Sequence, residues 1–276
     1  MSFISRPALR GLVAALAFVL SVASAEAQSC GNGPEGFDRW IAAYKGRAQR
    51  DGLSERTISQ GLSGVGYDRR VIGLDRGQRS FKLSFEQFYA RRVSGSMIKR
   101  GQGIIRQRRA MFDQIERRFG VQPEVLVAIW GLETNYGGDS GGKFSILQSL
   151  ATLAYDCRRS AFFENELTNA LRIIDRGDIP ADQMRGGWAG EIGPMQFLPS
   201  SYVKHAVDFD GDKHRDLFHS IPDMLASTAN FLKNHGWRAG QPWGEGTANY
   251  AVIRDWNKAE VYVKTIAVMA EKMAAR

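Results

Sequence analysis

The sequence predicts a mainly α protein with a small irregular or β region. Three observations predict it. Apolar residues recur at helical spacing along most of the chain beyond residue 27, alternating β-branched runs are scarce, and helix start and stop residues bracket the periodic stretches. The chain has 276 residues, 43% hydrophobic and 24% charged, with 30 Gly and 8 Pro. That is ordinary globular composition and excludes disorder, collagen and a dense disulfide scaffold. No repeat, low-complexity tract or long linker divides the sequence, so one body of closely packed helical lobes is expected.

Residues 1–27 read as a secretory leader: Arg6 and Arg10 make a positive start, 12–22 is apolar, and Ala25-Glu26-Ala27 is a small-x-small cleavage site. Ala23-Ser24-Ala25 is an equally legal site. The apolar run falls short of the ~20 residues a membrane span needs. Next, Phe37, Ile41 and Tyr44 form a helical stripe, and Ser84 with Gln87 makes a capping box ahead of Phe85, Phe88 and Tyr89. A single basic amphipathic helix is expected over 96–119, closed by Gly120. Pro123 suits the first turn of a helix carrying Val125, Leu126, Ile129, Trp130 and Leu132, which ends at Gly137-Gly138. Ser145 with Gln148 opens another helix, and 160–175 reads as helix too. The Gly-rich stretch 177–199 is loop or short strands. Helices over 220–235, stopped by Gly236, and over 259–274 close the chain.

The formal net charge is +8, and loss of the leader, which carries two Arg and one Glu, leaves +7. Nine cations crowd between Arg91 and Arg118. Such a cluster suits nucleic acid, an anionic polymer or a solvated helix face, and export makes nucleic acid the weakest partner of the three. Cys30 and Cys157 are an even pair in a compartment that permits oxidation, so a bridge is expected; two free thiols are the alternative. A lipid-modified Cys30 fits less well, because Ala27-Gln28-Ser29 lacks an apolar lead-in.

Three constellations can carry chemistry. Glu133 is the odd carboxylate at the end of an apolar helix, with Ile129 and Trp130 on its own face. Desolvation there favours the neutral acid, which can protonate a glycosidic oxygen; a helix-end Glu facing solvent fits the local pattern as well. The second constellation is the glycine-bracketed loop 190–202, in which the Gln196 amide can both donate to and accept from sugar acetamido and hydroxyl groups. In the third, Asp208, Asp210 and Asp212 occupy positions 1, 3 and 5 of a calcium-type loop, with the His214 carbonyl at 7. Lys213 stands where Gly is expected and His219 where the closing Glu is expected, so a solvated acidic turn is the competing reading. No metal-type His/Cys spacing, phosphate loop or serine nucleophile elbow stands out. The four His residues suit helix ends and the surface, and Trp188, Trp237, Trp243 and Trp256 can stack on sugars or pack.

Glu133-Thr134 within the stretch 130–137, the Gly193-Pro194-Met195-Gln196-Phe197 loop with Pro199-Ser200-Ser201-Tyr202, and Trp256-Asn257 with Tyr262 agree in order and spacing with one family. From about Phe37 to the C-terminus the chain resembles the lytic murein transglycosylases of the membrane-bound B type. The resemblance implies a lysozyme-like core over 121–276, an additional N-terminal helical lobe over 28–120, and a groove for a glycan strand. It makes Glu133 the acid and then the base, and Gln196 a saccharide contact. It places Tyr262 near the acid, with Tyr136, Asn257 and Asn230 as further contacts. The family's third motif reads Asn-Tyr, whereas here Phe231 follows Asn230. It also implies that Asp223 closes a structural calcium loop over 208–223, for which a helix-capping role beside Ser220 is the alternative; the chemistry itself needs no cofactor. The expected partner is the peptidoglycan glycan strand and the expected address is the periplasm. The enzyme is expected to act as a monomer, with partners in a cell-wall synthesis complex left open.

Ordinary glycosidases use two carboxyl groups, about 5–5.5 Å apart for retention or about 6.5–9.5 Å for inversion. Glu133 is the one clear candidate here. The resemblance implies that the muramyl N-acetyl group supplies the missing function and that the sugar's own 6-hydroxyl closes a 1,6-anhydro ring. Asp139, Asp156 and Glu191 remain as second carboxylates for a hydrolytic muramidase. A non-catalytic glycan-binding protein is the reading from another class.

Overall fold

A computed structural model of the chain describes residues 30–77, 83–139 and 142–275; the expected leader lies outside the described residues. Helices dominate, as the periodicity predicts. In the N-terminal part run α1 (Phe37–Arg50), α2 (Glu55–Leu62), α3 (Arg69–Gly77), α4 (Phe85–Arg92), α5 (Gly95–Gln107) and α6 (Arg109–Phe119). Then come α7 (Pro123–Thr134), α8 (Ile146–Tyr155), α9 (Ser160–Asp175), α10 (Pro199–His205), α11 (Ile221–Asn234), α12 (Ala248–Trp256) and α13 (Glu260–Ala274). Strands β1 (Phe144–Ser145), just ahead of α8, and β2 (Arg185–Gly186), in the Gly-rich stretch where loop or short strands were expected, pair antiparallel with Phe144 opposite Gly186.

The start signals work as the sequence suggests. Ser84 and Gln87 form the reciprocal capping box of α4, while Ser145 accepts from the Gln148 N–H without the return bond. The expected single helix over 96–119 is corrected: the chain kinks at Arg108 (φ −114°, ψ 26°) into α5 and α6. The bend lets α5 pack on α7 and α13 while α6 packs on α11, two directions one straight rod could not follow. Three short helices, α2, α3 and α12, were not anticipated, whereas α10 is the helix into which the 190–202 turn was expected to lead. Each of the three has eight or nine residues, too few to show a periodic stripe.

At the centre lies α7, with every residue from Val125 to Leu132 buried, surrounded by α5, α6, α11 and α13. A helix that is apolar all round over 125–132 belongs in a core, and this one keeps its two carboxylates at the ends, Glu124 in the first turn and Glu133 in the last. The expected bridge is present between Cys30 and Cys157, tying the start of the described chain to the turn after α8. Closing a loop of 127 residues is worth about 5 kcal/mol as the upper limit of the chain-entropy model. Beside it, buried Asp75 receives Arg76, Arg158 and Arg159, and Asp156 receives Arg76. That network makes Asp156 a structural anion and removes it as a second catalytic carboxylate.

Candidate active site

Glu133 sits in the last turn of α7, which ends where Asn135 turns left-handed (φ 49°). That end is pinned: the Thr134 hydroxyl donates to the Pro194 carbonyl at 2.7 Å and accepts the Gly137 N–H at 3.1 Å. Helix and 193–197 loop are thereby locked together. The loop itself is tight, because Gly193 has φ 67° and a Cβ there would stand 2.1 Å from the Leu217 carbonyl oxygen. Only glycine fits. Gln196 follows, also left-handed (φ 54°), its amide donating back to the Gly193 carbonyl at 2.8 Å.

The Glu133 carboxyl is packed among protein groups with one edge on the clefts. Trp256, at the end of α12, donates its indole N–H to Oε1 at 3.0 Å, and the Tyr262 hydroxyl, in the first turn of α13, also bonds to the carboxyl. Burial pushes its pKa from 4.5 up to about 7; Trp256, Tyr262 and the charge of Arg92 pull it down, and the charge of Glu191 adds to the rise. Its place at a helix C-terminus, the negative end of the dipole, works in the same direction as burial. The result is an acid half-protonated near neutrality, matched to giving and then taking a proton.

Two clefts meet at this carboxyl. One, of about 390 Å³, is lined by Glu133, Glu191, Gln196, Phe197, Phe231, Trp256 and Asn257 among others. The other, of about 670 Å³, is lined by Arg91, Arg92, Arg100 and Asp139 as well as Glu133. The indole of Trp256 stands edge-on to Phe197 and Phe231, with ring centroids 5.2 and 5.1 Å away, so one wall of the smaller cleft is aromatic.

Of the expected contacts, Gln196 and Asn257 line the cleft with Glu133, and Tyr262 bonds to the acid. Two other expected contacts do not line that cleft. Asn230 donates its amide to the His205 carbonyl at 3.0 Å, while the ring of the next residue, Phe231, lines the cleft. Tyr136 is buried, donates its hydroxyl to the Met97 carbonyl at 2.8 Å and packs on Trp130, tying α5 to α7 rather than reaching the acid. His205, expected near the surface, is buried against Phe231 and His235, and its pKa is pushed down to about 4 by burial and by His235. Trp237 packs, donating to the Gly120 carbonyl at 3.0 Å. Sequence reasoning missed the influence of Arg92 on the acid and the mutual contact of Phe197, Phe231 and Trp256, which arise only through tertiary packing.

Away from the clefts, one carboxylate oxygen from each of Asp208, Asp210, Asp212 and Asp223 lies within 4.8 Å of the others. Asp223 is fully buried and accepts the backbone N–H groups of Phe209, Asp210 and Asp216, while Ser220 caps α11 and donates to Asp210 at 2.6 Å. The capping reading of Asp223 holds, since its N–H donates to the Ser220 hydroxyl at 3.3 Å. His214 adds no side chain to the cluster, and Lys213, where Gly was expected, takes a left-handed φ of 75°. Among the described residues no Lys or Arg pairs with these four carboxylates, so a hard, oxygen-seeking cation is the group their charge and geometry fit.

Residues 36–247 match the family model described as the Transglycosylase SLT domain. Over 124 residues the chain is 44% identical to membrane-bound lytic murein transglycosylase B of Escherichia coli strain K12. That stretch is 44% of this chain and 34% of the relative, so the match spans about a third of that protein's length. Among solved structures the chain is similar to SltB3 of Pseudomonas aeruginosa in complex with NAG-anhNAM-pentapeptide, at 30% identity and TM-score 0.81, covering 87% of this chain and 80% of that one. It shares its fold with the lytic transglycosylase SLT35 of Escherichia coli in complex with calcium, at 22% identity and TM-score 0.74, covering 91% and 97%. With one protonable acid at the junction of two clefts in this fold, the chain belongs to the transglycosylase SLT-domain family.

Proposed function

We propose that the protein cleaves the β-1,4 bond between N-acetylmuramic acid and N-acetylglucosamine in peptidoglycan without consuming water, leaving 1,6-anhydromuramyl ends. The observation that carries this reading is the Glu133 carboxyl, buried, held by Trp256 and Tyr262 and raised to about 7. In this role the neutral acid protonates the leaving oxygen, the muramyl acetamido oxygen stabilises the positive charge at C1, and the resulting Glu133 carboxylate takes the proton of the 6-hydroxyl as it closes on C1. Gln196 and Asn257 contact the glycan along the 390 Å³ cleft. The periplasm, where that substrate lies, suits the basic charge and the leader-like residues 1–27. Among the described residues no helix is long and apolar enough to cross a membrane.

Hydrolysis is the second reading, because Glu191 lines the same cleft as Glu133. Mass spectrometry of fragments released from purified sacculi decides between them: anhydro ends, one water lighter than hydrolysed ends, are expected. Fragments with reducing muramyl ends alone overturn the non-hydrolytic reading, and sacculi bound without release of fragments favour a binding protein.

The four-carboxylate cluster, with the His214 carbonyl, is proposed to hold calcium that pins the 208–223 loop onto the start of α11. Bound calcium supplies charge neutralisation and takes no part in the chemistry. Extracellular sites of this kind bind at about 10⁻⁴–10⁻³ M, so 10 mM calcium stabilises the fold by about 1–3 kcal/mol. Thermal unfolding with and without the ion checks this, and Asp210→Asn with Asp212→Asn removes the shift; a midpoint that calcium leaves unmoved refutes the site.

A further inference from the structure

We propose that Glu191 accepts the N–H of the muramyl 2-acetamido group and so aims the acetamido oxygen at C1. The proposal rests on the glycan-cleaving reading and names the partner that substrate assistance needs from the protein.

The loop is built around this carboxylate. Oε2 accepts the Ala189 N–H at 2.9 Å, and the Glu191 carbonyl accepts the Gly187 N–H at 3.0 Å. A Cβ on Gly187 would stand 2.1 Å from Oε2, so a side chain at 187 would displace the carboxylate from this place. Glu191 shares the 390 Å³ cleft with Glu133 and Gln196, and no Lys, Arg or His pairs with it among the described residues. A carboxylate fixed in a cleft with no countercharge is costly to keep. The carboxyl also accepts its own backbone N–H, and the remaining lone pairs of its two oxygens leave room for a donor brought by the substrate.

The step balances without further reagents. Glu133 gives its proton to the glycosidic oxygen, the C1–O bond breaks with its electron pair going to that oxygen, and the acetamido oxygen bonds to C1. Positive charge then spreads onto the amide N–H, which becomes a stronger donor, so the bond to Glu191 strengthens as the transition state forms. Attack by the 6-hydroxyl oxygen breaks the C1–acetamido bond, the pair returns to the acetamido group, and the proton goes to Glu133. Glu191 exchanges no proton.

The test compares wild type with Glu191→Gln on a synthetic GlcNAc–MurNAc tetrasaccharide and on its counterpart lacking the muramyl N-acetyl groups. On the acetylated substrate kcat is expected to fall about 10- to 100-fold, the range for losing one bond to a charged group. On the de-N-acetylated substrate, slow for wild type, the two enzymes are expected to turn over equally. Equal losses on both substrates, or no loss on the first, overturn the proposal. So does loss of hydrolysed ends with anhydro ends retained, which makes Glu191 a base for water. Gln keeps an oxygen for the Ala189 N–H, and Glu191→Asp, checked by thermal melting, provides a second folded variant with the charge retained. If wild type yields no anhydro ends, the underlying reading falls; if it does and Glu191→Gln is indifferent, this inference alone falls.

Discussion

Glu133→Gln is expected to abolish release of anhydro fragments from sacculi to within about 10²- to 10⁴-fold of wild type, the range for removing a general acid–base, with the upper end favoured because one group serves both half-reactions. Gln is nearly isosteric and can still accept the Trp256 N–H that now reaches Oε1 at 3.0 Å, so the cleft keeps its shape. Binding of sacculi should therefore persist while turnover disappears, which a sedimentation assay beside fragment release will separate. Unchanged turnover would mean that another carboxyl, with Glu191 the first suspect, delivers the proton.

A companion measurement distinguishes lost chemistry from lost folding. The folded state holds the Glu133 proton more tightly than the unfolded chain does, with a pKa of about 7 against 4.5. Its contribution is therefore fully present below about pH 4.5 and is lost as pH rises through about 7, leaving wild type with a deficit of about 3 kcal/mol under alkaline conditions. Gln carries no charge to desolvate. At pH 8 and above Glu133→Gln should unfold at higher denaturant than wild type, and near pH 4 the two should converge. A dead variant that is also more stable has traded stability for function at this position; a dead and less stable one has merely been damaged.

How much of this could be read from the chain depends on the range of the interactions involved. Helices with long apolar stripes, such as α1, α7, α11 and α13, announce themselves, since periodicity and caps are local. The kink at Arg108 does not, because it follows from what α5 and α6 each pack against. The acid was legible as one carboxylate among apolar neighbours, but its partners were only partly so. Trp256 lies 123 residues away, and nothing local shows that an indole will donate to it. Tyr136 and Asn230 were equally illegible: Tyr136 bonds to the Met97 carbonyl after two left-handed residues close α7, and Asn230 bonds to the His205 carbonyl because α-helical spacing puts it about 100° from its neighbour Phe231.

The rate's pH dependence follows from the same carboxyl. A general acid must carry its proton in the free enzyme, so kcat/KM is expected to fall as pH rises through about 7. The groups around Glu133 then predict signed shifts of that limb. Trp256→Phe removes a donor that favours the anion, so the pKa rises and activity extends to higher pH. A bond to a charged group is worth about 1.5–3 kcal/mol and one pKa unit about 1.4, which gives a move of roughly one to two units. Phe preserves the edge-on contacts with Phe197 and Phe231 that shape the wall. Tyr262→Phe should move the limb the same way, and Arg92→Ala should too but by less, since that charge acts through space and faces solvent. Glu191→Gln should move it down, because a like charge is lost. Conformational damage would lower activity at every pH without ordering the limbs by sign, so the direction of these four shifts tests whether burial opposed by these neighbours sets the acid.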